Sequence, residues 1–214
     1  TPRYGYKLWE SLSQQGVSAD YLHEAVLQGA SFADGLLRYG PMNYRLLILC
    51  DVATLEPATA QAIRRYVEAG GKLVIVGRRP DRSPGLHEAS ANDRKVQSAL
   101  TAAVQAGGSR VTQMPAPDKA TNLLVWTGTL LDRTRTPRRV DFAPPSGKLF
   151  QVHYQAGGRE IFFLCNQDPE RRVASTADFH AGGCIPWRWD PETGTRTVYP
   201  STPDDRLSLD LGPG

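Results

Sequence analysis

Apolar residues follow two different spacings along this chain, and the change from one to the other divides it. In the first part, continuous apolar runs alternate with segments of helical spacing. Leu46, Leu47, Ile48, Leu49 and Cys50 form an unbroken run, the mark of a strand covered on both faces in a parallel sheet. Pro57 then stands where a helix can begin, Ala62, Ile63, Tyr66 and Val67 share one helical face, and Gly70-Gly71 closes the segment. Residues 72–77 (KLVIVG) read as the next buried strand. Strand, helix and strand within about thirty residues make a βαβ unit, whose right-handed crossover sets the two strands parallel. A second unit follows: Val96, Leu100 and Val104 at fourfold spacing predict a helix over 92–106, Gly107-Gly108 ends it, and 110–114 is a short strand. Upstream, the pattern predicts a helix over 5–15, a strand over 18–22, a helix beginning over 23–28 and an extended piece over 36–39. Together these elements describe a doubly wound parallel sheet.

After about residue 137 the helical period gives way to short strands at 139–142, 148–154, 160–165, 172–179, 184–189, 195–199 and 206–211, separated by Gly, Pro, Asp and Asn turns. That succession predicts an antiparallel β-sandwich. The Arg-, Pro- and Thr-rich stretch 133–145 marks the boundary, giving an α/β domain over 1–136 and a partial sandwich over 137–214. The first domain opens on a helix where a doubly wound domain ordinarily opens on a strand, and the last strand leaves an uncovered edge at Leu211. The chain is therefore expected to be a piece of a longer one, lacking an N-terminal and a C-terminal strand.

With 214 residues, 40% of them hydrophobic, the chain can bury an ordinary core, and no apolar run approaches eighteen residues, so no membrane is expected as a partner. The net charge of +3 comes from 25 basic and 22 acidic residues interspersed along the chain, which argues against nucleic acid. The densest basic stretch, Arg133, Arg135, Arg138 and Arg139, has no aromatic residues to stack bases and reads as a solvated linker. Cysteines at 50, 165 and 184 are too few and too scattered for a disulfide framework or a zinc knuckle.

Cys50 is the residue that most suggests chemistry, because a nucleophilic cysteine can sit at a strand-to-helix elbow. Its neighbours Leu49 and Asp51 are not the small residues such an elbow needs, and the next helix waits until Pro57. His23-Glu24 and His87-Glu88 are halves of a zinc-binding helix motif, but Leu27 and Ala91 stand where the second histidines belong, so no metal is expected. Asp20, Asp51 and Asp141 are candidate carboxylates that no spacing sets in opposition. Gly77-Arg78-Arg79-Pro80 has too few glycines for a phosphate loop, and no cofactor is expected. Strand carboxyl ends are nonetheless where ligands bind a doubly wound sheet, which singles out Asp20, Tyr21, Asp51, Arg78 and Arg79 for ligand or interdomain contacts. Trp187 and Trp189, two apart on one strand face, are candidates for stacking on a sugar ring, but packing in a core or domain interface is the reading preferred here.

Several of these segments resemble a known family. Residues 20–27 (DYLHEAVL), 44–50 (YRLLILC) and 66–77 (YVEAGGKLVIVG), with the loop 78–86 (RRPDRSPGL), resemble the flavodoxin-like, class I glutamine-amidotransferase-like domain of large multidomain glycoside hydrolases, above all α-L-rhamnosidases of glycoside hydrolase family 106. Residues 160–168 (EIFFLCNQD) and 189–194 (WDPETG) resemble the β-sandwich that follows it. The resemblance implies that catalytic acid and base lie in a barrel domain outside this segment, which would be this chain's partner within one parent chain acting on a plant or microbial glycan. It implies a secreted or periplasmic parent and carries no catalytic residue onto this chain. Three functions follow: a non-catalytic accessory region, a carbohydrate-binding module using Trp187 and Trp189, or a Cys50-dependent amidotransferase-like enzyme. Within the 189–194 motif, Pro191, Thr193 and Gly194 are expected to build a turn and not a site.

Overall fold

The computed structural model describes residues 4–200 and 206–214, apart from the Tyr6 side chain. In chain order it runs α1 (Gly5–Gln14), α2 (Glu24–Gly29), β1 (Ser31–Ala33), β2 (Leu36–Tyr39), β3 (Met42–Tyr44), β4 (Leu46–Cys50), α3 (Pro57–Glu68), β5 (Lys72–Val76), α4 (Ala89–Gly107), β6 (Val111–Met114) and α5 (Leu123–Thr134). Strands β7 (Val140–Ala143), β8 (Leu149–Ala156), β9 (Arg159–Asn166), β10 (Val173–Phe179), β11 (Trp187–Trp189), β12 (Arg196–Val198) and β13 (Leu207–Leu211) follow. The result is a mixed α/β structure with one parallel sheet and several antiparallel ones. It falls into two compact units, one built on Asp20–Thr121 with Leu130–Thr136, the other on Tyr6–Ala19, Asn122–Thr129 and the residues from Pro137 on.

The first unit centres on the parallel sheet β4-β5-β6, with Ile48 opposite Val74 and Ile75 opposite Gln113. β5 lies in the middle and buries Leu73, Val74, Ile75 and Val76 completely, as a strand covered on both faces must. Leu73 and Ile75 join Leu47 and Leu49 in a cluster with Ile63, Tyr66 and Val67 of α3 and Val96, Leu100 and Ala103 of α4. Two right-handed crossovers stepping the same way across a sheet put their helices on one face, and α3 and α4 accordingly pack against each other. Pro57 opens α3; Glu56 before it makes no side-chain cap bond, and its own N–H donates to Glu24 Oε2 at 2.9 Å. At the other end Gly71 N–H donates to Tyr66 O and Gly70 N–H to Val67 O, the Schellman pattern that the Gly70-Gly71 pair foretells. An antiparallel ribbon, β1-β2-β3, precedes the sheet.

In the second unit every strand pairing is antiparallel: β13-β10-β7, the hairpin β8-β9 and the hairpin β11-β12. Val140, Phe142, Leu149, Ala177 and Leu209 form its buried centre, with Phe162, Leu164, Phe179 and Leu211 packed around them. Side-chain bonds to backbone hold α1: Ser11 Oγ donates to Leu123 O at 2.8 Å, Gln14 Nε2 to Gly147 O at 2.8 Å and Gln15 Nε2 to Leu124 O at 2.7 Å.

Four expectations need correction. Residues 18–22 are irregular, not a strand, because no ladder partner reaches them and their side chains bond other segments instead: Tyr44 Oη donates to Asp20 Oδ2 at 2.9 Å, and Tyr21 Oη to Gly5 O at 3.0 Å. Helix α5 was not expected; β-branched residues and Gly128 dilute its propensity, and its one local signal is Asn122, whose Oδ1 accepts the Val125 N–H at 3.3 Å in the manner of an N-cap. Arg133 therefore lies on a helix and not in a linker, and Arg138 is partly buried beside Asp141, while Arg135 and Arg139 are exposed. Of the core or domain-interface packing preferred for Trp187 and Trp189, the core half does not hold: they stand 60% and 64% exposed.

Candidate functional site

The carboxyl edge of the parallel sheet brings together two of the five residues proposed for strand-end contacts. Asp51, directly after β4, adopts a positive φ of 50°, and its N–H donates to Val76 O at 2.8 Å, extending the pairing one residue beyond the strand. That conformation is uncommon for a residue with a side chain. It turns the carboxylate back over the sheet edge, where Asp51 Oδ1 accepts the Arg78 N–H at 3.2 Å, with Arg78 Nε 4.0 Å from the same oxygen. Both side chains remain well exposed, so the ion pair itself contributes little. Arg79 goes elsewhere and donates to Thr101 Oγ1 of α4 at 2.8 Å. The loop after β5 is tied down by Asp81 N–H to Ala53 O, Leu55 N–H to Arg82 O and Ser83 N–H to Asp93 Oδ1. Asp20 and Tyr21, without a strand beneath them, do not belong to this edge.

Sequence reasoning missed Tyr4. Its hydroxyl is buried near Cys50 and Asp51 with no hydrogen-bond partner among the described residues. Burial first, then Cys50 and Asp51, push its pKa up to about 12, so it keeps its proton at neutral pH.

Burial, followed by the Asp51 charge, likewise pushes the Cys50 thiol up to about 11. A nucleophilic cysteine needs the opposite shift, and at neutral pH this one stays protonated as a thiol. Iodoacetamide at about pH 7 is therefore expected to modify the exposed Cys184 well before Cys50. Mass mapping that found Cys50 labelled first would restore the amidotransferase-like reading.

The first histidine half-motif serves the fold: His23 caps α2 by accepting the Ala25 N–H on Nδ1 at 3.2 Å. Among the described residues no group of three or more potential metal ligands gathers. No described helix is long and apolar enough to cross a membrane.

The aromatic hairpin is built as the 189–194 motif implies. Asp190 Oδ1 accepts the N–H groups of Glu192 and Thr193 at 2.9 and 3.1 Å, Gly194 N–H donates to Asp190 O at 2.9 Å, and Gly194 has a φ of 70°. The turn pairs Trp187 with Val198 and Trp189 with Arg196, so both indoles share one exposed face with the Val198 side chain. The amide bonds, that of Thr193 foremost, hold the Asp190 carboxyl below the usual carboxylate range. A carboxylate depressed in the folded state stabilises the turn above its unfolded pKa of about 3.9, and the contribution is lost as pH falls through the folded value. The amide NMR signals of Glu192 and Thr193 are thus expected to hold from neutral pH to about 4 and to move below it. Signals that stay fixed into strong acid would contradict the bonding described.

Fold and sites together define a mixed α/β protein whose antiparallel half carries an exposed aromatic hairpin. The family model described as alpha-L-rhamnosidase, glycoside hydrolase family 106, matches residues 10–199, and the chain belongs to that family. The resemblance read from the strand and hairpin motifs is the correct one. Curated proteins give no sequence match. Among solved structures, the apo exo-carrageenase GH42 from Bacteroides ovatus is similar over 98% of this chain, at 11% identity and a TM-score of 0.45, a likeness too loose to argue from. The chain spans 26% of that structure's length.

Proposed function

We propose that this chain is a non-catalytic accessory region of an α-L-rhamnosidase-type glycoside hydrolase, combining a flavodoxin-like domain with a β-sandwich, which positions or borders a catalytic barrel in the same parent chain. The carrying observation is that the candidate acids already serve the fold. Asp51 accepts the Arg78 N–H, Asp20 the Tyr44 hydroxyl, and Asp141 lies against His180 and Arg138. Membership of the family supports the glycosidase context. Order of strands also supports the flavodoxin-like assignment, since β4-β5-β6 with α3 and α4 on one face is one half of such a sheet. Excising this segment from a full-length enzyme of the family is expected to lower its thermal midpoint and leave the sugar preference of the remaining activity unchanged. A changed sugar preference with an unchanged midpoint would overturn the positional role.

Exposure of Trp187 and Trp189 favours a second reading, a carbohydrate-binding face on the β11-β12 hairpin. It predicts retardation of the chain in polysaccharide affinity gels that Trp187→Ala or Trp189→Ala abolishes. Equal mobility with and without polysaccharide would exclude it for the glycans tried.

A further inference from the structure

The hairpin β8-β9 has one closed edge and one open one. Its two-residue loop, Gly157 and Gly158 with φ of 56° and 73°, makes Ala156 and Arg159 the first bonded pair. Bonded pairs then alternate with unbonded ones, so Gln151 and His153 on β8 and Glu160, Phe162 and Leu164 on β9 turn their N–H and C=O groups away from the hairpin. On the β8 side α1 meets them: Gln151 N–H donates to Ser13 Oγ at 3.0 Å, and the Ser13 hydroxyl donates to Gln151 O. On the β9 side no described residue hydrogen-bonds the backbone of Glu160, Phe162 or Leu164, and among the described residues β9 pairs with β8 alone. At Asn166 the open edge stops, since its Nδ2 donates to Arg171 O and Gly212 O at 2.7 Å each and gathers those segments there. The stretch 160–164 is left.

We propose that this edge takes an extended strand from elsewhere in the same parent chain. A row of unpaired N–H and C=O groups at strand spacing is matched by another strand, and not by a helix. Strands that stay at an edge carry a lysine, a proline or a bulge that keeps neighbours off; residues 161–165 (IFFLC) have neither charge nor proline, and the ladder to β8 runs without a bulge. One face of the hairpin is equally unguarded. Val152 lies opposite Phe163 and Tyr154 opposite Ile161, and Tyr154, Phe163 and Ile161 stand 61%, 54% and 40% exposed. Phe162 and Leu164, on the other face, pack against the core. An incoming strand thus meets apolar side chains on both of its faces and is itself a continuous apolar run, not an alternating one. A second copy paired through β9 would set two apolar faces side by side in one sheet and cover neither, whereas a parent chain brings further surface to lie on them. The proposal rests on the accessory reading for the source of the strand; if the edge stays open, that reading still stands.

The test is hydrogen exchange, residue by residue, in this chain and in its parent-length enzyme. In the chain alone the amides of Glu160, Phe162 and Leu164 are expected to exchange freely, while those of Ile161 and Phe163, bonded to β8, are protected. In the parent-length enzyme the three outward amides are expected to slow at least about a hundredfold. Phe163→Lys, which charges the exposed face and leaves the backbone ladder alone, is expected to lower the thermal midpoint of the parent-length enzyme and barely move that of the chain. Outward amides that exchange equally fast in both forms would overturn the proposal. Protection already present in the chain and rising with its concentration would overturn it too, and make a second copy the occupant. Rhamnoside turnover by the chain alone would sink the accessory reading instead and leave the exchange result to be read on its own.

Discussion

Gly16→Ala is expected to cost the second unit about 3 kcal/mol or more, among the largest effects a single added methyl can have. Two independent causes converge at this position. Gly16 has a φ of 76°, as the residue after a helix end must when Gly16 N–H donates to Ser13 O and Val17 N–H to Leu12 O. A Cβ placed there would lie 1.8 Å from the carbonyl oxygen of Val140, far inside contact distance, and the obstacle is backbone that a side-chain rotation cannot move aside. Relief would require α1 to lift from β7, breaking the Arg139 N–H to Gly16 O bond between them. Urea unfolding followed by circular dichroism measures the loss; a midpoint within error of the parent would contradict this account of how α1 is seated.

Leu100→Ala is expected to destabilise the first unit by about 3 kcal/mol. Leu100 is fully buried on α4 in the cluster it shares with Ile63 and Tyr66 of α3 and with Leu73 and Ile75 of the central strand. Truncation there removes three carbons from contact with groups on three elements and leaves a void that packed neighbours fill only in part. Exposed Val125 on α5 is the control, where the change to Ala is expected to matter little. Equal midpoints for the Leu100 and Val125 variants would mean that α4 is not packed as described.

The β4-α3-β5-α4-β6 succession was legible in the sequence because each element announces itself twice. Leu46 to Cys50 and Leu73 to Val76 are apolar without interruption, and Pro57, Gly70-Gly71 and Gly107-Gly108 mark the helix ends where the structure has them. The later strands were legible for a similar reason, since turn residues separate apolar stretches too short for helices. What failed were segments whose state depends on a distant partner. Residues 18–22 have strand composition but no neighbouring strand to pair with, and α5 has a diluted helical pattern and takes hydrogen bonds from Ser11 and Gln15, more than a hundred residues away in sequence.

Candidate sites divide along the same line. Asp51 beside Arg78 follows from the rule that ligands and loops meet at strand carboxyl ends, so the topology alone placed them together. Spacing showed that Trp187 and Trp189 share a face, but whether that face is covered depends on what lies across from it, which a spacing of two residues does not encode.

The measurement that bears most directly on the accessory reading is the hydrolysis of an aryl α-L-rhamnoside by the purified chain, run beside a full-length enzyme of the family. The account predicts release of the phenol by the full-length enzyme and a rate with this chain no different from buffer. Turnover by the chain that rises in proportion to its concentration and vanishes in Asp51→Asn would contradict it, and would place the catalytic centre at the carboxyl edge of the parallel sheet.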